Sequence, residues 1–382
     1  MLTINQNYST GLLLAALSLA ACSKHSTPPS PTHPAPPFLS ITGFSPTNGP
    51  DSTTVTITGT AFNPTLADDS VYFNGKQARV VNATDSTLIA IVPELAGTGN
   101  VVVKTNGNNA TGDIFTYDTT WRVTEFAGQF VVPQYLSIDV NSNLYLTALG
   151  GYGDIYKITP QGDTGSLLSP LPSPEGTTID AAGNIYVVSR QSPQGSSIYM
   201  ITQFGTSAMV RTDSNDLSGL VIDANGNIYG ADLMNRSIDK INPQGQVSTF
   251  ASNIENPSGL VLDNNGNLYA TSTNNAYSAT AGVILKFSPT GSMTTVASGL
   301  MLSAQNGIAI DPNNNLYVTC YSPEFPTSAV VKITPAGIID TVSTSFHIPL
   351  GIAVDRTGNL FVVDVNPMGD GIYGTLSKLM WH

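Results

Sequence analysis

Short apolar runs separated by polar turns recur between residues 135 and 361. In one copy, the apolar run Gly219-Leu-Val-Ile-Asp223 is followed by the polar stretch Ala-Asn-Gly-Asn227 and then by Ile228-Tyr229. A short apolar run bounded by turn residues is typical of a buried β-strand. Asn and Gly tolerate the left-handed backbone of a tight turn. Each copy therefore predicts two strands joined by a tight turn.

Two further segments follow in each copy and mix apolar with polar residues. In the same copy they are Ser237-Ile-Asp-Lys-Ile241 and Val247-Ser-Thr-Phe-Ala251. This pattern is typical of strands with one exposed face. One copy thus predicts four antiparallel strands. Because a single unit of this kind cannot bury both of its faces, we expect the copies to stack in a ring.

An aspartate opens the turn in six copies and recurs every 40 to 48 residues. The six are Asp139, Asp180, Asp223, Asp263, Asp311 and Asp355. A fixed period in this range predicts a repeat architecture. Six units of four strands predict an all-β fold with a six-bladed β-propeller over residues 119–382. We expect each aspartate to accept backbone N–H bonds within its own turn, which is a structural role.

The last copy predicts three strands, over residues 352–354, 360–364 and 375–380, and lacks a fourth. Upstream of the first copy, Arg122-Val-Thr-Glu-Phe126 is similar to an outer strand of the repeat. We therefore predict that residues 123–126 pair with residues 376–380. Such pairing closes the ring and leaves no sheet edge open.

The repeats resemble the NHL family of six-bladed propellers. The matching strings are Gly351-Ile-Ala-Val-Asp355, Gly226-Asn-Ile-Tyr-Gly-Ala-Asp232 and Ile284-Leu-Lys-Phe-Ser-Pro-Thr-Gly291. The resemblance covers about residues 121–382 and implies the same propeller fold. The shared residues belong to turns and to the core, so the resemblance implies a fold rather than a function.

Residues 38–118 alternate between apolar and polar positions, with turns at short intervals. This pattern predicts a small β-sandwich. The strings Ser45-Pro46, Thr56-Ile-Thr-Gly-Thr-Ala-Phe62 and Phe73-Asn-Gly75 resemble the IPT/TIG family of immunoglobulin-like domains. The resemblance implies an immunoglobulin-like domain that acts as a spacer or as a support for binding.

The chain begins with an apolar segment that ends at Cys22. The run Gly11-Leu-Leu-Leu-Ala-Ala-Leu-Ser-Leu-Ala-Ala-Cys22 is too short to span a bilayer, which takes about 20 residues, and it suits a signal peptide. Its last four residues resemble the lipobox of bacterial lipoproteins. The resemblance implies a signal peptide over residues 1–22 and lipidation of Cys22; a plain secretory signal is the alternative.

Residues 23–37 are rich in proline and predict an extended linker. The lipobox resemblance at Cys22 implies a lipid-anchored protein of the bacterial cell envelope, and the neutral Ser23 that follows favours the outer membrane, on its periplasmic or its surface side. The net charge is −12. Nucleic acids and anionic lipid surfaces attract positively charged proteins, so we expect no nucleic-acid partner. Cys320 is the remaining thiol, and we expect it to be buried and inert.

Catalytic motifs are scarce. The propeller region contains His347 in a connection between copies, where we expect a structural role, and no motif for a metalloprotease, a serine hydrolase or a phosphate-binding loop. The positions five residues before each repeat aspartate should lie at the mouth of the ring. They are Gln134, Glu175, Ser218, Ser258, Asn306 and Leu350.

A second six-bladed family, the regucalcin and gluconolactonase hydrolases, binds one divalent metal ion at these mouth positions. Pro174-Glu-Gly176 and Gln305-Asn-Gly307 are similar to its ligand motifs. The resemblance implies, as an alternative, a metal-dependent hydrolase or lyase with an ion such as Ca²⁺ at Glu175 and Asn306. Ca²⁺ takes about 6–8 oxygen ligands, and Ser and Leu at other mouth positions supply too few. We therefore expect no cofactor.

The loops between the second and third strands differ among the copies and should gather on the face of the mouth. They contribute Arg190, Arg236 and Tyr321 to the candidate site, beside the mouth residues Gln134, Glu175 and Asn306. Diverse loops without a catalytic set favour a non-catalytic binding or scaffolding protein whose ligand is a glycan or a protein. A purely structural spacer remains a third hypothesis.

Overall fold

The computed structural model describes residues 37–119, 121–150, 152–190, 195–213, 215–273, 281–303, 306–322, 325–368 and 371–381. The predicted signal peptide, Cys22 and the linker up to residue 36 lie outside these residues. Every regular element within them is a β-strand. No helix in this described part is long and apolar enough to cross a membrane.

The N-terminal unit is a sandwich of two sheets. Its strands are β1 (Ser40–Ser45), β2 (Asn48–Gly49), β3 (Thr54–Thr60), β4 (Asp69–Phe73), β5 (Lys76–Gln77), β6 (Arg79–Ala83), β7 (Thr87–Ile91), β8 (Gly99–Thr105) and β9 (Asn108–Tyr117). The strand orders are β1-β3-β7-β6 and β2-β9-β8-β4-β5. In β3, Val55 and Ile57 are buried between exposed threonines. The rings of Phe73 and Phe115 meet edge-to-face at 5.0 Å in the core. The predicted sandwich is confirmed.

The remaining strands form six antiparallel sheets of four strands within the described part of the chain. They are β10 (Trp121–Val131), β11 (Pro133–Ile138), β12 (Leu144–Ala148), β13 (Asp154–Ile158), β14 (Thr164–Leu168), β15 (Pro174–Ile179), β16 (Ile185–Arg190), β17 (Ser196–Ile201), β18 (Ser207–Asp213), β19 (Leu217–Ile222), β20 (Ile228–Asp232), β21 (Ser237–Ile241), β22 (Val247–Ser252), β23 (Leu260–Leu262), β24 (Leu268–Thr273), β25 (Gly282–Phe287), β26 (Met293–Leu300), β27 (Ile308–Ile310), β28 (Leu316–Ser322), β29 (Phe325–Ile333), β30 (Ile339–Ser343), β31 (Ile348–Val354), β32 (Leu360–Met368) and β33 (Gly371–Trp381).

The inner strands of these sheets contact one another in chain order. The sequence is β11, β15, β19, β23, β27 and β31, and β31 contacts β11 in turn. The repeat glycine lies where neighbouring inner strands approach. A Cβ atom on Gly176 would lie 2.1 Å from the carbonyl oxygen of Ser218, and one on Gly219 would lie 1.9 Å from that of Ser258. The glycine is therefore required by close backbone packing in a propeller-like arrangement.

Each repeat aspartate organises its turn through hydrogen bonds. Asp223 Oδ1 accepts the backbone N–H groups of Asn225 and Asn227, at 2.9 and 2.8 Å. Its Oδ2 accepts Asn227 Nδ2 at 2.7 Å and the Tyr229 hydroxyl at 3.4 Å. The same backbone bonds recur in all the other copies. The predicted structural role of the aspartates is confirmed.

The predicted pairing of the two ends of the repeat region is confirmed. β10 runs antiparallel to β33, with Val123 opposite Leu379 and Glu125 opposite Ser377. The last sheet therefore has the order β10-β33-β32-β31. Its β32–β33 hairpin extends beyond the predicted strands, because backbone pairing continues between Asn366 and Tyr373 without an alternating apolar pattern.

Candidate ligand-binding site

A cavity of about 430 Å³ lies where the inner strands begin and the second strands end. Its apolar lining consists of Val132, Leu233, Ile348, Leu350, Val365 and Ile372. Its polar lining consists of Gln134, Tyr135, Glu175, Arg190, Ser303 and Tyr321. Four of the six apolar residues belong to β31, β32 and β33. Four of the polar residues, from Gln134 to Arg190, belong to β11, β15 and β16, so the cavity has an apolar side and a polar side.

Val132 connects β10, in the last sheet, to β11, in the first sheet. It thereby lies next to the polar side of the cavity. Its N–H donates to the carbonyl of Ile372 at 3.0 Å, and its carbonyl accepts the N–H of Leu149 at 2.9 Å. Its φ angle is +50°, a left-handed conformation that is rare for a β-branched residue. Val132 directly precedes β11, which carries Gln134 and Tyr135.

An ionic group of three side chains connects the second and third sheets. Glu175 is buried in β15, and its Oε1 lies 3.6 Å from Nη1 of Arg190, at the end of β16. Arg190 Nε lies 2.8 Å from Asp216 Oδ1. The Nε hydrogen has no aligned acceptor among the described residues, so the contact with Asp216 is ionic rather than a directed hydrogen bond. Two carboxyl groups therefore lie beside one guanidinium, and of the two only Glu175 lines the cavity.

Burial affects the protonation of Glu175 and Tyr135, on the polar side of the cavity. Burial raises the pKa of Glu175; the positive charge of Arg190 opposes the rise, and the negative charge of Asp216 adds to it. Burial also raises the pKa of Tyr135, and the Glu175 carboxylate raises it further. The phenol of Tyr135 is therefore neutral at physiological pH and can both donate and accept a hydrogen bond.

Two polar atoms on this side have no partner among the described residues. They are Oε1 of Gln134 and the hydroxyl of Tyr135. The two residues are 5% and 8% exposed. A buried polar group without a partner costs about 1–3 kcal/mol. The cavity therefore presents hydrogen-bonding capacity that the described residues do not satisfy.

The structure brings together four of the six predicted site residues. Gln134, Glu175, Arg190 and Tyr321 all line the cavity. Asn306 does not line it, because it is fully buried and its amide group is used by the backbone. Its Oδ1 accepts the N–H of Ser303, and its Nδ2 donates to the carbonyl of Thr319.

Arg236 is the other predicted residue outside the cavity lining. It is paired with Glu255, and half of its side chain is exposed. Its backbone carbonyl accepts the N–H of Ile254. The loop that carries it thus packs on the connection that follows β22 and does not contribute to this cavity.

Sequence reasoning missed Tyr135 as a site residue, although the signal was present. Five copies have glycine four residues before the aspartate, whereas the first copy has Tyr135 before Asp139. A large polar side chain thus replaces a glycine that close packing requires elsewhere. No such signal in the sequence marks the apolar residues Val365 and Ile372. Their place in the cavity lining depends on how far the β32–β33 hairpin extends.

The donor set does not fit the divalent metal ion that a gluconolactonase-like fold implies. Glu175 faces a guanidinium, and the amide of Asn306 is occupied. The Ser218 hydroxyl lies within hydrogen-bonding distance of the carbonyls of Ala231 and Pro257, and the hydroxyl of Ser258 is bonded to that of Thr271. The described residues contain no group of three or more His, Cys, Asp or Glu placed to hold a metal ion.

The surroundings of two other candidate reactive side chains, Cys320 and His347, suit a structural role. Cys320 is buried, and burial raises the pKa of its thiol to about 12, so the expected buried position is confirmed. His347 Nδ1 lies 3.3 Å from Asp364 Oδ2. Asp364 Oδ1 also accepts the backbone N–H groups of His347 and Ile348. This contact fixes the connection into β31.

Comparisons with known proteins agree with this architecture. Residues 39–119 match the family model of the IPT/TIG domain. No curated protein matches the chain in sequence. The chain thus combines an immunoglobulin-like IPT/TIG domain with a propeller-like array of sheets.

Solved structures of similar fold cover between 69% and 90% of this chain. An auxiliary nutrient binding protein from Bacteroides ovatus ATCC 8483 has a TM-score of 0.63 at 16% identity, over 90% of this chain and 98% of that chain. One from Bacteroides thetaiotaomicron VPI-5482 has a TM-score of 0.57 at 16% identity, over 90% and 97%. A gluconolactonase from Xanthomonas campestris has a TM-score of 0.55 at 15% identity, over 69% and 90%. Likeness at this level of identity shows the fold alone.

Proposed function

We propose that the protein is a non-catalytic binding lipoprotein and that its cavity binds a carbohydrate. The observation that carries the proposal is a pair of buried groups, on Gln134 and Tyr135, that have no partner among the described residues and lie in a cavity of about 430 Å³. Binding sites of about 300–1,000 Å³ with a few convergent polar groups are typical for small ligands. A ligand that supplies the missing hydrogen bonds removes the cost of leaving these groups buried and unpaired.

The mixture of donors and acceptors favours a hydroxyl-rich ligand. The Glu175 carboxylate and Gln134 Oε1 accept hydrogen bonds, the Arg190 guanidinium donates them, and the Tyr135 hydroxyl does both. A sugar hydroxyl also donates and accepts, so adjacent hydroxyls match this set. The aliphatic side at Leu350 and Ile348 suits the apolar face of a ring. The nutrient-binding proteins of similar fold support a binding role.

The wider architecture belongs to the same proposal. The six sheets are the blades of a closed propeller, and the immunoglobulin-like domain is a spacer. The segment before it supplies a signal peptide, a lipid anchor at Cys22 and a proline-rich linker. The anchor would hold the protein at the outer membrane of a bacterium.

Glycan-array screening of the purified chain, followed by calorimetric titration of the hits, tests the proposal. We expect binding that falls at least tenfold in Gln134→Ala. Arg236→Ala is the matched control, because Arg236 lies outside the cavity lining, and it should bind as the wild type does. An array without hits at millimolar glycan would overturn the proposal, as would equal binding by Gln134→Ala. A protein ligand would then have to be sought on the loops.

Removal of metal ions distinguishes the metal-dependent alternative. Because the donor set does not fit a divalent ion, we expect glycan affinity to be unchanged by a chelator such as EDTA and by added Ca²⁺. The melting temperature should be unchanged as well. Binding that requires Ca²⁺, or a large Ca²⁺-dependent rise in melting temperature, would favour the hydrolase or lyase hypothesis instead.

A further inference from the structure

The last sheet changes character toward the end of its β32–β33 hairpin. On the face toward the fifth sheet, which comprises β27 to β30, Val362 and Leu379 belong to an apolar cluster shared by the two sheets. Successive residues of a strand alternate between faces, so Asn366, Tyr373 and Thr375 continue this face toward the hairpin end. Polar and aromatic side chains therefore replace the apolar packing at this end.

A bulge in β10 brings another amide to the same place. The register of β10 against β33 shifts between residues 127 and 130, so that Gly128 and Gln129 together lie opposite Thr375. Gln129 has a φ angle of +63°, a left-handed conformation that is uncommon for residues other than glycine. Bulges redirect side chains and are frequent next to functional sites. The bulge thus merits a functional reading.

A second cavity, of about 420 Å³, lies at this end of the last sheet. Its described lining consists of Gln129, Asn366, Tyr373, Gly374 and Thr375. None of these residues carries a charge, and none of them lines the first cavity. The volume is within the range of about 300–1,000 Å³ that is typical of sites for small ligands.

The lining combines an aromatic ring with unpaired polar groups. Tyr373 is 50% exposed and lies directly opposite Asn366 in the hairpin. The side chains of Gln129, Asn366 and Thr375 make no hydrogen bond to other described residues. Amides and hydroxyls both donate and accept hydrogen bonds, and a tyrosine ring offers an apolar face. This set matches a neutral sugar ring, which has an apolar face and a rim of hydroxyls.

We propose that the second cavity is a carbohydrate-binding site separate from the first. The Tyr373 ring stacks on the apolar face of one sugar ring, and Gln129, Asn366 and Thr375 bond its hydroxyls. Because half of Tyr373 is exposed, a sugar is less completely removed from water here, and we expect weaker binding than in the first cavity. The second site does not depend on the first, since the two described linings share no residue.

Calorimetric titration of Gln134→Ala tests the second site, because this substitution weakens the first cavity. The probes are gluco-, manno-, xylo- and galacto-oligosaccharides of two and six units, at millimolar concentration. We expect residual binding of at least one series, which falls at least tenfold when Tyr373→Ala or Asn366→Ala is added. High salt should change this residual affinity by less than about twofold, because the described lining carries no charge.

Tyr152→Ala is the matched control, because it removes an exposed tyrosine outside both described linings. Added to Gln134→Ala, it should leave the residual binding unchanged. In the otherwise wild-type chain, Tyr373→Ala should remove the weaker of two binding phases and leave the stronger phase unchanged. The melting temperatures of the Tyr373 and Tyr152 variants should stay close to that of the parent, because both side chains are exposed.

The outcomes separate the second site from the proposed function of the first cavity. No residual binding in Gln134→Ala, or residual binding that neither Tyr373→Ala nor Asn366→Ala reduces, would overturn the second site while the first stands. Binding that Tyr373→Ala abolishes and Gln134→Ala leaves unchanged would support the second site and overturn the first. Failure of every probe would overturn both.

Discussion

A buried carboxylate beside a guanidinium determines the electrostatics of the cavity. Glu175 is 5% exposed, and its ion pair with Arg190 is longer than a hydrogen bond, at 3.6 Å. The pairing offsets only part of the cost of removing a carboxylate from water. The negative charge of Asp216 adds to that cost.

This carboxylate gives the protein a stability that depends on pH. Burial raises the pKa of Glu175 in the folded protein. A raised pKa contributes stability that is fully present below the unfolded pKa, about 4.3, and is lost as the pH rises through the folded pKa. Glu175→Gln has no such dependence. We therefore expect the stability difference, wild type minus variant, to decrease from pH 4 to pH 7.5 in urea unfolding.

The control for this experiment is Glu125→Gln, because Glu125 is exposed. Its stability difference from the wild type should stay constant over the same range. A constant difference for Glu175→Gln as well would contradict the role of burial at Glu175.

Asp263, the aspartate of one repeat turn, predicts the opposite dependence. Burial disfavours the Asp263 carboxylate, but hydrogen bonds from the Asn267 side chain and from the backbone of Asn267 and Asn265 outweigh it and lower its pKa. A lowered pKa contributes stability that is present above the unfolded pKa, about 3.9, and is lost as the pH falls through the folded pKa. Asp263→Ala should lower the unfolding free energy at pH 7 by about 2 kcal/mol, and by less at pH 3.

Denaturant unfolding at the two pH values measures this effect. Asp340→Ala, at an exposed position of β30, should change stability by less than about 0.5 kcal/mol. If Asp263→Ala cost the same at both pH values, the hydrogen bonds of the turn would not depend on its charge.

At the scale of single residues, the sequence was informative where a residue departs from its repeat. The turn role of each aspartate follows from its neighbours, because Asp, Asn and Gly determine local backbone geometry. Asn306 does not line the cavity, because its buried side chain bonds to backbone groups, and sequence spacing alone does not say whether a side chain points to solvent or to the backbone. The strained φ of Val132 has no sequence signal, since valine normally avoids that conformation.

At the scale of elements, the pairing of β10 with β33 joins distant parts of the repeat region. Trp121 packs edge-to-face on Trp381 at 5.1 Å and on Tyr317, in the neighbouring sheet, at 6.0 Å. Each favourable aromatic pair contributes about 0.5–1.5 kcal/mol beyond the area it buries. Trp121 therefore connects the edge strand both to its own sheet and to the preceding one.

Removal of the Trp121 side chain should weaken the pairing of β10 with β33. We expect Trp121→Ala to lower the unfolding free energy by roughly 2–3 kcal/mol, less than a fully buried Trp→Ala change because Trp121 is half-buried. Native-state hydrogen exchange should show faster exchange in β10 and β33 than in β20. Phe204→Ala, at an exposed aromatic position, is the control and should have little effect. Uniform exchange in both variants would contradict a local role.

Strand pairing was predictable because the same pattern of strands and turns occurs in several copies of the repeat. The predicted pairing of residues 123–126 with residues 376–380 depended on similarity to the fourth strand of other copies. A lysine recurs on the third strand of several copies, as in Lys240 and Lys286, and the sequence did not predict its contacts. Lys240 lies opposite Tyr229 on the neighbouring strand, with its ammonium 5.4 Å from the ring centroid. Lys286 and Tyr269 repeat the contact at 5.2 Å.

At the scale of the molecule, the immunoglobulin-like domain and the repeat region have separate hydrophobic cores. The core of the domain includes Phe73 and Phe115 and draws only on residues up to Tyr117, whereas the next cluster begins at Phe130. Glu94 and Arg122 form an exposed ion pair across the junction, at 3.3 Å. An exposed pair contributes about 0–1 kcal/mol, which is too little to couple the unfolding of two cores.

We therefore expect two unfolding transitions in calorimetry. A ligand bound in the cavity should raise the melting temperature of only one of them. A ligand at a hundred times its Kd stabilises the folded state by about 2.7 kcal/mol. At about 2–4 °C per kcal/mol for a unit of this size, the transition of the repeat region should rise by roughly 5–10 °C, while that of the immunoglobulin-like domain stays fixed. Gln134→Ala should show two transitions and a smaller shift at the same ligand concentration. One cooperative transition, or an equal shift of both, would mean that the domain and the repeat region unfold as a unit and that the domain is more than a spacer.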